Sequence, residues 1–312
     1  MCIRSRFRHL LGAFALLCLS LQAQAANCIG MVPAGDTAFW RQVEIGAQQA
    51  ARELNLRVYY RGPLREGGVE TQLQVIERLL GHGCRALVIA PSDESIAARV
   101  RQLQAGGIPT LYIDRSLSEP APLGLVATDN FAAGYLAGQH MVELLQGEGQ
   151  VALLRLRQGL HSTSERERGF RQGAEDGGLQ VLIDLYVGDD SQRVVEALGE
   201  QLEQLDGLFT PNSTSSRAAL AAMRRLHKAG QRVHIGFDGD EVLLEALRLG
   251  DMQALLVQQP RMIGYQAVLL AHQAMVAGTP ARPAHTLLPA RLITRSNMLD
   301  LYETLRDVPP QP

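Results

Sequence analysis

Polar and aromatic residues recur just behind short apolar runs in this chain, and their types suit the recognition of hydroxyl groups. Asp36, Thr37, Phe39 and Trp40 follow the run at 29–32, and Asp114 and Arg115 follow 109–113. Behind 151–156 comes a loop with His161, Ser162 and Thr163, then Arg166. Asn212 follows 205–210, Asp238 follows 233–237, and Gln258 closes 254–258. Carboxylates accept hydrogen bonds from hydroxyls, guanidinium forks donate to ring and hydroxyl oxygens, and amides do both. A Phe or Trp face stacks on the C–H face of a sugar ring. Taken singly, each residue has a blander use. An Asp at a strand end is more often a helix cap or a loop ion pair, and Phe39 suits a core. Six polar strand ends aimed at one cleft are harder to explain that way.

Such residues need a scaffold that gathers strand ends, and the hydropathy pattern provides one. Apolar runs of strand length at 29–32, 56–60, 86–90 and 109–113 alternate with helical periodicity at 39–54, 70–80 and 96–105. The rhythm repeats in the second half. Strands are expected at 151–156, 181–187, 205–210, 233–237 and 254–258, with helices at 131–145, 166–176 and 217–227 between them. Alternating β and α elements predict an α/β fold of doubly wound parallel sheets. Two such units imply two lobes across a cleft, and ligands of open α/β sheets bind beyond the carboxyl ends of the strands.

The first twenty-five residues read as a secretory signal peptide: Arg4, Arg6 and Arg8, an apolar stretch at 10–21, then Ala23-Gln24-Ala25 at the cleavage positions. The apolar stretch is too short to cross a bilayer. Bulky Leu17 before Cys18 fits a lipoprotein anchor poorly. Cleavage near Ala25-Ala26 would deliver a soluble, periplasmic or secreted chain. Losing three Arg and no acid takes 30 basic residues to 27 against 32 acidic, a net charge of −5. That balance argues against nucleic acid and against anionic membranes as partners.

Enzyme chemistry has little support. No G-x-S-x-G, H-E-x-x-H or G-x-x-x-x-G-K-[ST] pattern occurs. The run Gly81-His82-Gly83-Cys84-Arg85-Ala86 matches a dinucleotide fingerprint but precedes a strand, so it reads as a turn. The histidines, His82, His140, His161, His227 and His272 among them, lack metal-ligand spacing. Lys228 is the only lysine and sits on an outer helix, which argues against Schiff-base catalysis. No catalytic residue, metal or cofactor is expected. Cys28 and Cys84 each open an apolar strand. If those strands are neighbours, the two sulfurs share one end of a sheet and could join; two free, buried thiols are the alternative. A disulfide is favoured, because unpaired thiols outside the cytoplasm tend to oxidise.

Over residues 27–295 the chain resembles the ribose-binding branch of the periplasmic sugar-binding proteins, whose fold is shared with the effector domain of lactose-repressor-like regulators. Motifs in order carry the resemblance: Ala38-Phe39-Trp40 with Gly46-Ala47, Ile113-Asp114-Arg115, and Thr128-Asp129-Asn130 with Gly134 and Gly138. They continue through Glu165-Arg166-Glu167-Arg168-Gly169-Phe170, Asn212, Gly236-Phe237-Asp238-Gly239 and Gln258-Gln259-Pro260. The resemblance implies a type I periplasmic binding protein fold with a three-crossover hinge. It divides the chain into lobes at 26–127 plus 261–289 and 128–260 plus 290–312. It places pentose contacts on Phe39, Trp40, Asp114, Arg115, Arg166, Asn212, Asp238 and Gln258. A helix-turn-helix, which a DNA-binding relative would carry, is replaced by the export signal.

There are departures. Asp36 and Thr37 stand where close ribose binders carry two Asn, Trp40 replaces a Phe, and the additional aromatic that the resemblance implies near Asp190 and Ser191 has no clear counterpart. Asp114, Arg115, Arg166 and Asp238 sum to zero charge, which suits a neutral sugar. Asp36 in the cleft would make the site net negative and favour an amino sugar. The expected function is a monomeric solute-binding protein that closes on a pentose or related monosaccharide and delivers it to the permease of an ATP-driven (ABC) importer. The alternative partner is a membrane histidine kinase or chemoreceptor that senses the closed form.

Overall fold

The computed structural model describes residues 28–64, 68–117, 123–277, 284–299 and 301. The export signal read at 1–25 lies outside them. Five strands and three helices alternate first: β1 (Cys28–Val32), α1 (Ala38–Glu53), β2 (Arg57–Tyr60), α2 (Val69–Gly81), β3 (Ala86–Ile89), α3 (Ala97–Ala105), β4 (Thr110–Ile113) and β5 (Gly124–Thr128). The pattern resumes with α4 (Asn130–Leu145), β6 (Gln150–Arg155), α5 (His161–Asp176), β7 (Gln180–Tyr186), α6 (Ser191–Leu198), β8 (Gly207–Phe209), α7 (Ser213–Arg225), β9 (Val233–Phe237), α8 (Glu241–Leu249) and β10 (Ala254–Val257). It closes with α9 (Pro260–Ala277), β11 (Ala284–Leu288) and β12 (Arg291–Thr294).

Two six-stranded sheets result, ordered β11-β5-β4-β3-β1-β2 and β12-β10-β9-β8-β6-β7. The paired strands are parallel, except that β12 runs antiparallel to β10. Central strands β1, β3, β4 and β10 are buried at every residue. That is why they read as continuous apolar runs rather than alternating ones. Each sheet has its own apolar core, built on Ile29, Met31, Val88 and Ile113 in one and on Leu153, Phe170, Phe209 and Phe237 in the other.

The crossings between sheets set the geometry of the cleft. The chain leaves the first sheet after β5, returns to pack α9 on α1, and leaves again between β11 and β12. The Asp129 amide donates to the Leu288 carbonyl at 2.8 Å, and the Gln259 side chain donates to the Pro289 carbonyl at 2.8 Å, so the crossing segments are tied together.

The crossings after β5 and after β10 each lead into a helix, α4 and α9, that approaches its partner at backbone distance. An added Cβ on Gly46 in α1 would lie 1.8 Å from the Arg261 carbonyl oxygen in α9. One on Gly134 in α4 would lie 2.0 Å from the Arg166 carbonyl oxygen in α5. Only glycine allows these contacts. Gly134→Ala must therefore push α4 off α5, and should cost roughly 1–3 kcal/mol or more in denaturant unfolding, the range for overpacking. An unchanged midpoint would contradict the packing described.

Strands β1 and β3 are direct neighbours, with Ile29 opposite Ala86, and this register brings Cys28 and Cys84 together in a disulfide with Cα atoms 4.6 Å apart. The bridge lies at the amino ends of the strands, away from the cleft. Denatured, unreduced protein beginning at Ala26 should titrate with no free thiol; two reactive thiols would rule the bridge out.

Candidate functional site

The carboxyl ends of both sheets face a shared cavity of about 490 Å³. Nine of the ten residues chosen from the sequence line it: Thr37, Phe39, Trp40, Asp114 and Arg115 from the first sheet's side, and Arg166, Asn212, Asp238 and Gln258 from the second. Asp36 is the exception. Its carboxylate turns outward to Arg41 Nη1 at 3.2 Å, and its side chain is 53% exposed. The case for an amino sugar that rested on an inward Asp36 is therefore lost.

Arg166, in the first turns of α5, organises the second lobe's wall. It is 3% exposed, and every branch of its fork is engaged. Nε donates to Asn130 Oδ1 at 2.8 Å, Nη1 to the Pro211 carbonyl at 2.9 Å, and Nη2 to Gln258 Oε1 at 3.0 Å. The guanidinium carbon sits 3.7 Å from the centroid of Phe237, a cation–π contact that gains strength where water is excluded. Gln258 Oε1 also accepts from Thr128 Oγ1 at 2.7 Å, while its amide donates to Asp238 Oδ1 at 2.7 Å. The amide of Ser213 donates to Asp238 Oδ2 at 3.2 Å. Burial weakens the hold of Arg166 on its proton, against the pull of the Asp238 and Asp114 carboxylates. Burial likewise raises the Asp238 pKa, opposed by Arg166 and by the bonds from Gln258 and Ser213. The result is a fixed ladder of charge and amide, oriented before any ligand arrives.

Asp114 and Asp238 occupy matching places. Each follows the third strand of its sheet order, β4 or β9, and each has a left-handed backbone, φ 65° and 71°. Their amides still extend the ladder, to the Val126 carbonyl at 3.0 Å and the Leu256 carbonyl at 2.8 Å. A left-handed aspartate is uncommon and tends to mark functional sites. Neither is the N-cap residue of a helix, although Asp238 also accepts from the first amide of α7. Asp129, Asp190 and Asp240 are N-caps, accepting from Ala132, Gln192 and Leu243 amides. Asn212 combines both uses: its Oδ1 caps α7 by accepting from the Ser215 amide at 2.8 Å, and the residue lines the cavity.

Opposite this wall, Arg115 Nε donates to Asp114 Oδ2 at 2.9 Å. Phe39 is half-buried and meets Trp40 edge to face, with centroids 4.9 Å apart. Trp40 itself is only 1% exposed and belongs to the first lobe's core. It supports Phe39 more than it offers a free face.

Sequence reasoning missed part of the wall. Arg157, Asp189, Arg193, Ser213 and Thr214 also line the cavity, and Asn130 and Thr128 hold the buried ladder. Thr128-Asp129-Asn130 was visible as a motif without its use. Ser162 and Thr163 were noted beside His161, and they do line the cavity while His161 does not.

Behind Arg166, the buried Glu167 turns away from the cleft into a partly exposed charge cluster. Its Oε2 lies 3.7 Å from Arg155 Nε, and Arg155 and Arg171 both bond Asp184. Burial pushes the Glu167 pKa from 4.5 up to about 7, with Arg155 opposing and Asp184 reinforcing the rise. A raised folded-state pKa contributes stability that is full below pH 4.5 and lost as pH rises through about 7. Glu167→Gln should therefore stabilise the protein at pH 8 by on the order of 1 kcal/mol. At about pH 4, below the ordinary value of 4.5, folded and unfolded chains both hold the proton and the gain should fall away. Thermal melts at the two pH values decide it; a loss of stability at pH 8 would mean that pairing with Arg155 outweighs burial.

Residues 29–279 match the family model described as a periplasmic binding protein domain. The chain is 25% identical over 290 residues to a D-apiose import binding protein of Paraburkholderia graminis, covering 90% of this chain and 92% of that protein. It is 29% identical over 261 residues to a ribose import binding protein of Haemophilus influenzae, covering 82% and 88%. Among solved structures, the periplasmic component of an ABC-type sugar transport system from Hahella chejuensis superposes with a TM-score of 0.76 at 36% identity, covering 85% of this chain and 99% of that one.

Proposed function

This chain belongs to the periplasmic binding protein family, and on that premise we propose that it binds a pentose or related monosaccharide between its lobes and delivers it to an ATP-driven importer. One observation carries the reading: a prearranged ladder of Arg166, Gln258 and Asp238 faces Asp114, Arg115 and Phe39 across one cavity. Such a wall offers donors and acceptors at fixed places, with one aromatic edge for the ring. The relatives named above import D-apiose and ribose, which supports an importer as partner; nothing in those names favours a sensor kinase. Membership of a family of periplasmic binding proteins also supports a binding role over an enzymatic one.

The proposal has a lobe division and a motion. Residues 26–127 plus 261–289 form one lobe and 128–260 plus 290–312 the other, with an export signal removed near Ala25-Ala26. Asp114 and Arg115 hang from the first lobe; Arg166, Asn212, Asp238 and Gln258 hang from the second. Ligand hydroxyls that bridge both sets stabilise the closed form, because only that form engages both at once. Three crossing segments would restrict the motion to opening and closing.

A thermal-shift screen of protein beginning at Ala26 against monosaccharides tests this. A ligand at 100 times its Kd should stabilise the fold by about 2.7 kcal/mol. With the best sugar, Arg166→Ala and Asp238→Ala should each cost at least roughly 2 kcal/mol of binding, about thirtyfold in Kd, since each leaves buried partners unpaired. Lys228, paired with Glu203 at 2.8 Å on the outer surface, supplies the control: Lys228→Ala should change Kd by less than about twofold. Unchanged Kd in both cleft variants would refute the site.

A further inference from the structure

The charges on the cavity wall do not cancel. Asp114, Asp189 and Asp238 face Arg115, Arg157, Arg166 and Arg193, three negative groups against four positive. Four of these are committed to the prearranged walls: Asp114 with Arg115 at 2.9 Å, and Arg166 with Asp238 through Gln258. That leaves Arg157, Asp189 and Arg193, with a net charge of +1.

These three sit together on the second lobe. Arg157 follows β6, Asp189 lies in the turn from β7 into α6, and Arg193 lies in the first turn of α6. The Gly188 amide reaches the Leu156 carbonyl at 3.1 Å and joins the two turns. Among the described residues, neither Arg157 nor Arg193 makes a side-chain hydrogen bond or an ion pair. The charge of Arg157 reaches Asp93 on the opposing lobe, but that carboxylate is already held by the Ser95 amide at 2.8 Å. Here the resemblance to ribose binders implies an additional aromatic near Asp190 and Ser191. Glycine and charge stand in its place, so this end of the cavity offers ionic recognition instead of ring stacking.

We propose that the ligand is a sugar bearing a single carboxylate, of the uronate or aldonate class, whose carboxylate is taken by Arg157 and Arg193 and whose adjacent hydroxyl donates to Asp189. Guanidinium forks match carboxylates in shape as well as charge. A monoanion balances the surplus of one positive charge; a phosphate ester, at about −1.5 to −2, would overshoot it. The proposal rests on the sugar-binding reading above and narrows its ligand class.

Calorimetry with matched pairs tests it: D-galactose against D-galacturonate, and D-ribose against D-ribonate. In at least one pair the carboxylate member should bind at least tenfold more tightly, and that margin should shrink as salt is raised. In the Arg157→Gln, Arg193→Gln double variant the ratio of the two affinities should fall toward one, and in Lys228→Ala it should persist. Neutral members that bind as tightly as their acids in both pairs overturn this inference and leave the sugar-binding reading standing. An acid preference that survives the double variant overturns the assignment to these arginines. Failure of every member to bind overturns both readings together.

Discussion

A guanidinium that is nearly inaccessible to water is costly unless each of its nitrogens finds a partner. Arg166 meets that condition only because three separate segments converge on it: Asn130 at the start of α4, Pro211 behind β8, and Gln258 at the end of β10. None of these contacts is local in sequence. The buried arginine therefore ties the place where the chain enters the second lobe to the place where it leaves. Helix packing follows from the same requirement. The Arg166 carbonyl is the atom that an alanine at position 134 would strike. The glycine that lets α4 lie against α5 thus also sets the reach from Arg166 to Asn130.

A second consequence concerns direction. Parallel strands end on one edge of each sheet, so the two sheets present their carboxyl ends to a common cavity. Asp114 and Asp238 exploit this in the same manner, holding a left-handed backbone at matching places. Strain of this kind persists where the surrounding structure enforces it; here the neighbouring strand holds each amide. The first lobe then offers an acid–arginine pair and a phenyl ring, and the second offers the buried ladder. Binding between them requires a ligand with hydroxyls on both sides.

Much of this was legible in the residues, for physical reasons. Buried central strands leave continuous apolar runs, and the residues that follow those runs are the ones a parallel sheet delivers to its ligand edge. That logic found Asp114, Arg166, Asp238 and Gln258. Pairing of Cys28 with Cys84 depended on a single adjacency, β1 beside β3, which the sheet order supplies. The same logic cannot tell a cleft Asp from an outward one. Asp36 and Asp114 both follow strands, but a nearby Arg41 draws Asp36 out. Nor can it separate a ring that faces a ligand from one that fills a core, as Trp40 does. Arg157 and Arg193 were invisible for a further reason. Their position depends on two turns meeting through the Gly188 amide, a tertiary contact with no local signature.

The central claim is that a sugar is held between the lobes by the Arg166–Gln258–Asp238 ladder on one side and by Asp114 and Arg115 on the other. A crystal structure of the protein with its tightest-binding monosaccharide tests it most directly. The account predicts ligand oxygens within hydrogen-bond distance, about 2.7–3.2 Å, of Arg166 and Asp238 and also of Asp114 or Arg115, with Phe39 against the ring. A sugar bound to one lobe alone, or outside this cavity, would contradict it.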